Sequence, residues 1–197
     1  MAAVSETIVR EYFELHEFLV RQHRKYIAQT RQDDDDIDFF VLNPQPQKSE
    51  GEMPFVLGST DLVRIERAVV VVKGWHTETF SSARLASTPE IFRFVEPKVF
   101  QQAVRAFGKD STPLKILVVP ALPQSEQARD ESIALLRSKG VDAVIPFHAM
   151  LADLVAHVEV NRNYQKSDLL QMIRILKNYD FFKEPQLELF KSKRRKK

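Results

Sequence analysis

Four consecutive valines, Val69–Val72, preceded by Ala68, limit the fold more than any other stretch of the chain. β-Branched side chains suit a pleated backbone, and an unbroken apolar run leaves neither face polar, so the segment reads as a strand covered on both sides. It ends in Lys73, Gly74, Trp75 and His76, which brings a cation, a flexible residue and two polar-edged rings to one place. "LKILVVP", from Leu114, and "VDAVIPF", from Val141, read as two more strands, joined by a helix from about Ser125 to Lys139 that Gly140 closes. This is a βαβ unit, with a right-handed crossover and parallel strands where the two are neighbours. The fold class is α/β.

The flanking segments carry their own signals. Ser5 to about His16 reads as a helix, with Ser5 as cap, Glu6 in the first turn, and Ile8, Tyr12, Phe13 and Leu15 near one face. Phe18–Ala28 reads as a strand mixing apolar and basic residues, the acidic run Asp33–Asp36 as a turn, and "IDFFVLN" from Ile37 as the next strand. Pro44, Pro46, Gly51, Pro54 and Gly58 make Asn43–Ser59 a long irregular excursion between strands. Thr88 as cap, Pro89 at the first helical position and Gly108 as stop frame a helix whose Ile91, Val95, Val99 and Ala103 form one stripe. Pro97, inside it, removes a backbone donor and is expected to kink it or split it in two. Helices over Ala149–Val160 and Ser167–Asn178 follow.

A chain of 197 residues with 44% hydrophobic content supports one well-packed domain, expected over residues 1–190 and followed by the basic tail 191–197. The absence of cysteine removes disulfides, thiolate metal sites and cysteine nucleophiles, and it fits a reducing compartment. No export signal opens the sequence, and no run approaches the roughly 20 apolar residues that span a bilayer, so a cytoplasmic protein without a membrane partner is the expectation. The net charge is +2, but "KSKRRKK" carries six positive charges, which leaves 2 − 6 = −4 on the rest. Such a tail attracts nucleic acid phosphates or an anionic surface, or it serves as a solvated terminus.

The order helix, strand, hairpin-like strand pair, helix, strand, helix, strand resembles the PD-(D/E)XK nuclease superfamily, the restriction-endonuclease-like fold. Two short motifs carry the resemblance: "DIDFF" puts Asp38 where that family has its first carboxylate, and "VVVKGW" puts Lys73 where its lysine ends the next strand. The resemblance covers about Ser5 to Phe147. It implies a three-layer core, a mixed central sheet flanked by helices, with extra C-terminal helices, and a divalent ion, Mg²⁺, held by carboxylate oxygens against a scissile phosphate of DNA or RNA. The lysine would orient the nucleophile and offset charge growing on the phosphate. Glu6 matches the position from which some family members add an acidic group. Asp38, Lys73 and Glu6 are therefore the expected catalytic set.

The chain departs from the motif at Val71, two residues before Lys73, where the family has a second carboxylate and valine has no oxygen. That leaves either a rearranged metal site or a relative without catalysis. Replacement carboxylates are Glu90 on the following helix, which with Asp38 makes the expected metal pair, Glu78 after the strand, or Glu66 and Asp61 before it. Arg21, His23 and Lys25 share one face if their strand alternates, and are expected to track phosphates; an edge strand protected by charge explains them equally well. Trp75 and His76 stack on or donate to a nucleotide, or form a packed lid on the core edge. His16, His148 and His157 lack metal spacing and read as surface or locally bonded residues. A different class of function remains beside this one: a noncatalytic interaction protein that presents its last helices to a protein partner or to a second copy in a homodimer.

Overall fold

The computed structural model describes residues 2–22, 37–47, 51–108 and 111–182. The chain divides into two compact units, Met1–Ala156 and His157–Lys197.

The first unit is built on a five-stranded mixed sheet whose strands β1 (Leu19–Gln22), β2 (Phe39–Leu42), β3 (Arg67–Val72), β4 (Leu114–Val119) and β5 (Ala143–Pro146) lie side by side in chain order. β2 is antiparallel to both β1 and β3, whereas β3, β4 and β5 run parallel. One row of partners, Gln22, Phe39, Val70, Ile116 and Ala143, crosses the whole sheet. Because β2 alone is reversed, the end of β1, the start of β2 and the ends of β3, β4 and β5 fall on one rim. The apolar run Ala68–Val71 is buried, as a strand covered on both faces must be.

Alternation along the strands divides the core in two. On one face Val69, Val71, Leu117, Val119 and Val144 join Phe80, Leu85, Ile91, Phe94 and Leu136 in a single apolar cluster. Those partners come from α2 (Ser82–Ala86), the 3-10 segment Pro89–Val95, α4 (Glu126–Ser138) and their connections; α3 (Pro97–Phe107) adds Val99. The opposite face buries Phe39, Val41, Val70, Ile116, Val118 and Ile145. α1 (Ala2–Leu15), which packs on β1 and β3, buries Val9, Tyr12 and Phe13. α5 (Phe147–His157) buries Met150 and Leu154, and His16 Nε2 to Asp153 Oδ2, 2.7 Å, ties α1 to α5. The arrangement is compatible with a three-layer α/β core.

Pro97 splits its helix, as expected, but the first half is 3-10 rather than α. Pro97 has no N–H and Glu96 is held extended before it (φ −60°, ψ 137°), so the preceding segment Pro89–Val95 ends there as a separate short 3-10 turn. The excursion after β2 is also more ordered than its prolines suggest. Phe55 and Leu57 are buried, and Val56 bridges to Val144 in parallel, with Leu57 N–H donating to Val144 O and Val144 N–H to Phe55 O. The free edge of β5 is thereby covered.

Two helices of this unit end in the same reversal. In α4 the Gly140 N–H reaches Arg137 O and the Val141 N–H reaches Leu136 O, with Gly140 at φ 88°. In α1 the Glu17 N–H reaches Glu14 O and the Phe18 N–H reaches Phe13 O, the two phenyl rings packing edge-on at 5.3 Å. The left-handed position there is held by Glu17, at φ 63°.

The second unit contains α6 (Asp168–Asn178), whose first turn is capped by Ser167 Oγ accepting the Leu170 N–H at 3.2 Å. Leu170 and Ile173 form its buried face. Arg174 Nε donates to Val160 O at 2.8 Å and Lys177 Nζ to Val158 O at 2.7 Å, which fastens the helix to the segment before it.

Candidate functional site

The rim at the ends of β1 and β3 and the start of β2 gathers Asp38, Lys73, Glu6 and His76 of the polar residues singled out in the sequence. Asp38 stands one residue before β2 and is largely buried. Its N–H donates to Val70 O at 3.1 Å, and its carboxylate Oδ2 accepts the Val72 N–H at 2.7 Å. The carboxylate thus takes the place of the next backbone acceptor as the β2–β3 ladder ends, which is how a charged side chain is accommodated beside an apolar strand. Lys73 is the next residue after Val72 and lies half-buried past the end of β3, its N–H continuing the parallel ladder to Val118 O at 3.1 Å. Asp38 and Lys73 therefore flank the same end of the β2–β3 pair, one just before β2 and the other just after β3.

Val71 is only 1% exposed and belongs to the apolar cluster on its face of the sheet. A carboxylate at this position would enter hydrocarbon, at a cost of several kcal/mol.

The first turns of α1 come to the same rim. Glu6 Oε2 accepts from Gln22 Nε2, at the end of β1, at 2.5 Å, and Gln22 Oε1 in turn accepts from Arg10 Nη2. Ser5, fully enclosed, pairs its Oγ with His76 Nε2 at 2.9 Å. Gly74 is needed for this approach: a β-carbon there would come within 2.3 Å of Ser5 Oγ. The close approach that the glycine permits is thus to α1. The His76 ring is exposed but rests edge-on against Phe147, centroids 4.6 Å apart.

Trp75 turns to the other face. It packs on the apolar cluster, edge-on to Phe80 at 5.7 Å, and the Arg84 guanidinium covers its ring at 5.5 Å. Its placement is that of a lid over the core edge. The connection Lys73–Phe80 then crosses the end of β4, where the Phe80 N–H donates to Ala121 O. Farther along the rim, a cleft of about 340 Å³ opens at the ends of β4 and β5, lined by Pro120, Leu122, Arg129, Pro146 and His148. Arg129 turns its guanidinium onto Pro123 O and Gln124 O and so stiffens the cleft wall.

Other candidates lie elsewhere. Glu90 opens the 3-10 segment on the helical layer and is exposed. Glu78 Oε2 faces Arg84 Nε at 3.3 Å. Glu66 pairs with Arg67 at 3.2 Å, and Asp61 Oδ2 accepts the Gly58 N–H at 2.8 Å. Glu66 precedes β3 and is separated from Lys73 by that strand, roughly 20 Å at the usual rise per residue. Among the described residues no group of three or more His, Asp or Glu side chains is disposed to hold a metal ion. Arg21 is exposed on β1, at the sheet edge, opposite Phe40. His23 and Lys25 lie outside the described residues, as does the basic tail.

Ser5, Arg10 and Gln22 are the rim residues that the sequence did not single out for the site. Ser5 reads as an ordinary helix cap, and nothing local to Gln22 or Arg10 marks them. Their roles come from long-range pairing, of Gln22 with α1 and of Ser5 with His76. No family model, no curated protein and no solved structure matches the chain.

Proposed function

We propose that the chain is a nucleic-acid-binding protein of the PD-(D/E)XK nuclease-like class that holds a phosphodiester strand along the Asp38–Lys73 rim without metal-dependent cleavage. The observation that carries this reading is the 2.7 Å bond from the Val72 N–H to Asp38 Oδ2, which holds the carboxylate on the residue that precedes the rim lysine. The element order supports it: α1, the antiparallel β1–β2–β3 set, helices, β4, α4 and β5 follow the sequence on which the restriction-endonuclease-like resemblance rests. Lys73 supplies charge for a phosphate, and Glu6, Arg10, Gln22 and His76 supply a rim of hydrogen-bonding groups. The noncatalytic form is favoured by Val71, whose position belongs to the apolar core, and by Asp38, one of whose oxygens is already engaged in ending a β-ladder.

The test is binding of labelled single- and double-stranded DNA and RNA over a range of salt, alongside cleavage assays in Mg²⁺ and Mn²⁺. The expected result is affinity that falls steeply with salt, no metal-dependent cutting, and at least fivefold weaker binding by Lys73→Ala. Cutting that requires the metal and is lost in Asp38→Asn would identify the catalytic form instead. No binding to any of the four polymers would remove the proposal.

A further inference from the structure

The opposite rim of the sheet, at the starts of β3 and β4, carries a cavity of about 360 Å³. Arg67 opens β3 and Leu114 opens β4, and the pairing of Ala68 with Leu114 sets the two strand starts side by side. Arg64, the last residue of the 3-10 segment Ser59–Arg64, lines the same cavity. Two guanidiniums thus border one concavity, and both arginines are only partly exposed. Like charges so placed repel, the more so where water is partly excluded. Glu66 supplies the one carboxylate of the lining, which leaves one positive charge in excess (2 − 1).

Arg64 Nη1 donates to Glu52 O at 3.3 Å and Nη2 to Gly51 O, which fixes the guanidinium while its other N–H groups have no partner among the described residues. Arg67 Nη2 faces Glu66 Oε1 at 3.2 Å, but the Glu66 side chain is 60% exposed. An ion pair so open to water contributes little, so an anion of suitable shape replaces that carboxylate at small cost. Thr112 is exposed and its hydroxyl has no partner among the described residues, whereas Ser111 Oγ is taken up by Gly108 O at 2.8 Å. Two planar forks and one unengaged hydroxyl offer donors to more than the two oxygens of a carboxylate; the three terminal oxygens of a phosphate monoester match them. Met53 and Leu114 make the rest of the wall apolar. The volume lies within the range of about 300–1,000 Å³ usual for small-molecule sites and exceeds what a bare phosphate fills, which leaves room for an organic part.

We propose that the cavity at the starts of β3 and β4 binds a small phosphate monoester, with Arg64, Arg67 and the Thr112 hydroxyl on the phosphate and Met53 and Leu114 against the organic part. Glu66 is the exchangeable partner of Arg67 that the phosphate displaces. The site stands apart from the phosphodiester reading of the Asp38–Lys73 rim: the length of β3, roughly 20 Å at the usual rise per residue, lies between them.

The experiment measures calorimetric binding of phenyl phosphate, beside benzoate and inorganic phosphate, to the full chain and to Arg64→Gln, Arg67→Gln, Thr112→Val, Glu66→Gln and Lys73→Ala, folding being checked by circular dichroism. Phenyl phosphate is expected to bind roughly tenfold more tightly than either benzoate or inorganic phosphate. Each arginine variant should lose roughly tenfold and Thr112→Val about threefold. Glu66→Gln, which removes the competing carboxylate, should bind about two- to fivefold more tightly. A gain cannot come from a misfolded chain, so this variant decides the matter should an arginine variant fail to fold. Lys73→Ala should bind as the full chain does. No binding at millimolar phenyl phosphate, or affinity unchanged in both arginine variants and in Glu66→Gln, would overturn the proposal. Benzoate bound as tightly would make this a carboxylate site, and inorganic phosphate bound as tightly would reduce it to an ion contact; either result overturns the assignment to a monoester. Binding lost in Lys73→Ala and kept in the arginine variants would assign the phosphate to the other rim, overturning this site while supporting that one.

Discussion

A β-carbon placed on Gly74 would stand 2.3 Å from Ser5 Oγ and 3.0 Å from Ser5 Cβ, so the chain leaving β3 and the first turn of α1 meet at a distance that only glycine permits. The neighbouring His76 bonds to the same hydroxyl. Gly74→Ala should therefore lower stability by about 1–3 kcal/mol through overpacking, read from the urea midpoint. Adding Ser5→Gly removes both opposing atoms and should recover the part due to the clash, less about 1 kcal/mol for a glycine inside a helix. An equal loss with and without the Ser5 side chain would show that this contact is not the cause.

Asp38 contributes to the sheet whether or not it meets a ligand. Asp38→Ala leaves the Val72 N–H without its carboxylate acceptor and should cost about 1–3 kcal/mol. Asp38→Asn keeps an oxygen in place and should cost less than half as much. Hydrogen exchange at the Val72 amide separates the two: it should quicken markedly in the alanine variant and little in the asparagine one.

Helix ends offer a paired test of backbone strain. Gly140 has no atom within 4 Å of where a β-carbon would sit, so Gly140→Ala changes only the cost of a positive φ and should destabilise by about 1–2 kcal/mol. Glu17, at φ 63° in the equivalent position of α1, should respond in the opposite sense. Glu17→Gly is expected to stabilise by about 0.5–1 kcal/mol, net of the extra freedom glycine has when unfolded, which thermal denaturation of the two variants would measure.

Tyr12 should make the fold sensitive to alkali. Burial pushes its hydroxyl from 10.0 up to about 12, with the charges of Asp153 and Asp61 acting in the same direction against the bond to Ser59 Oγ at 3.2 Å. The folded state then keeps a proton that the unfolded chain has lost. The contribution is fully present below pH 10, declines as pH rises, and is gone once pH passes about 12, a total of roughly 2–3 kcal/mol. Tyr12→Phe should flatten the fall in stability over that interval; an unchanged profile would assign it to other groups.

The sheet was largely legible because its inner strands carry their own evidence. Val69–Val72 and Ile116–Val119 are apolar without interruption, and only coverage on both faces accommodates that. The Pro97 break was legible for a similar reason, since a missing N–H acts locally. The stops at Glu17 and Asp180 were not, because an acidic residue in a left-handed position leaves none of the signature that Gly140 leaves. Nor was the bridge at Val56, which depends on a partner encoded much later. The site divides along the same line. The nearness of Asp38 to the Lys73 backbone follows from strand register, which short motifs hint at. The Ser5–His76 and Glu6–Gln22 pairs depend on how α1 lies over the sheet, and no local pattern encodes that.

Residues Phe55–Leu57 leave the ribosome well before β5 exists to receive them. Until Val144 is synthesised, the Phe55 carbonyl and the Leu57 N–H lack the backbone partner that β5 gives them. Nascent chains halted before β5 should therefore be sensitive to proteases across this stretch and should associate through it. Completion of β5 closes the border with a segment from the first third of the chain and leaves no bare strand there for a neighbouring molecule to extend.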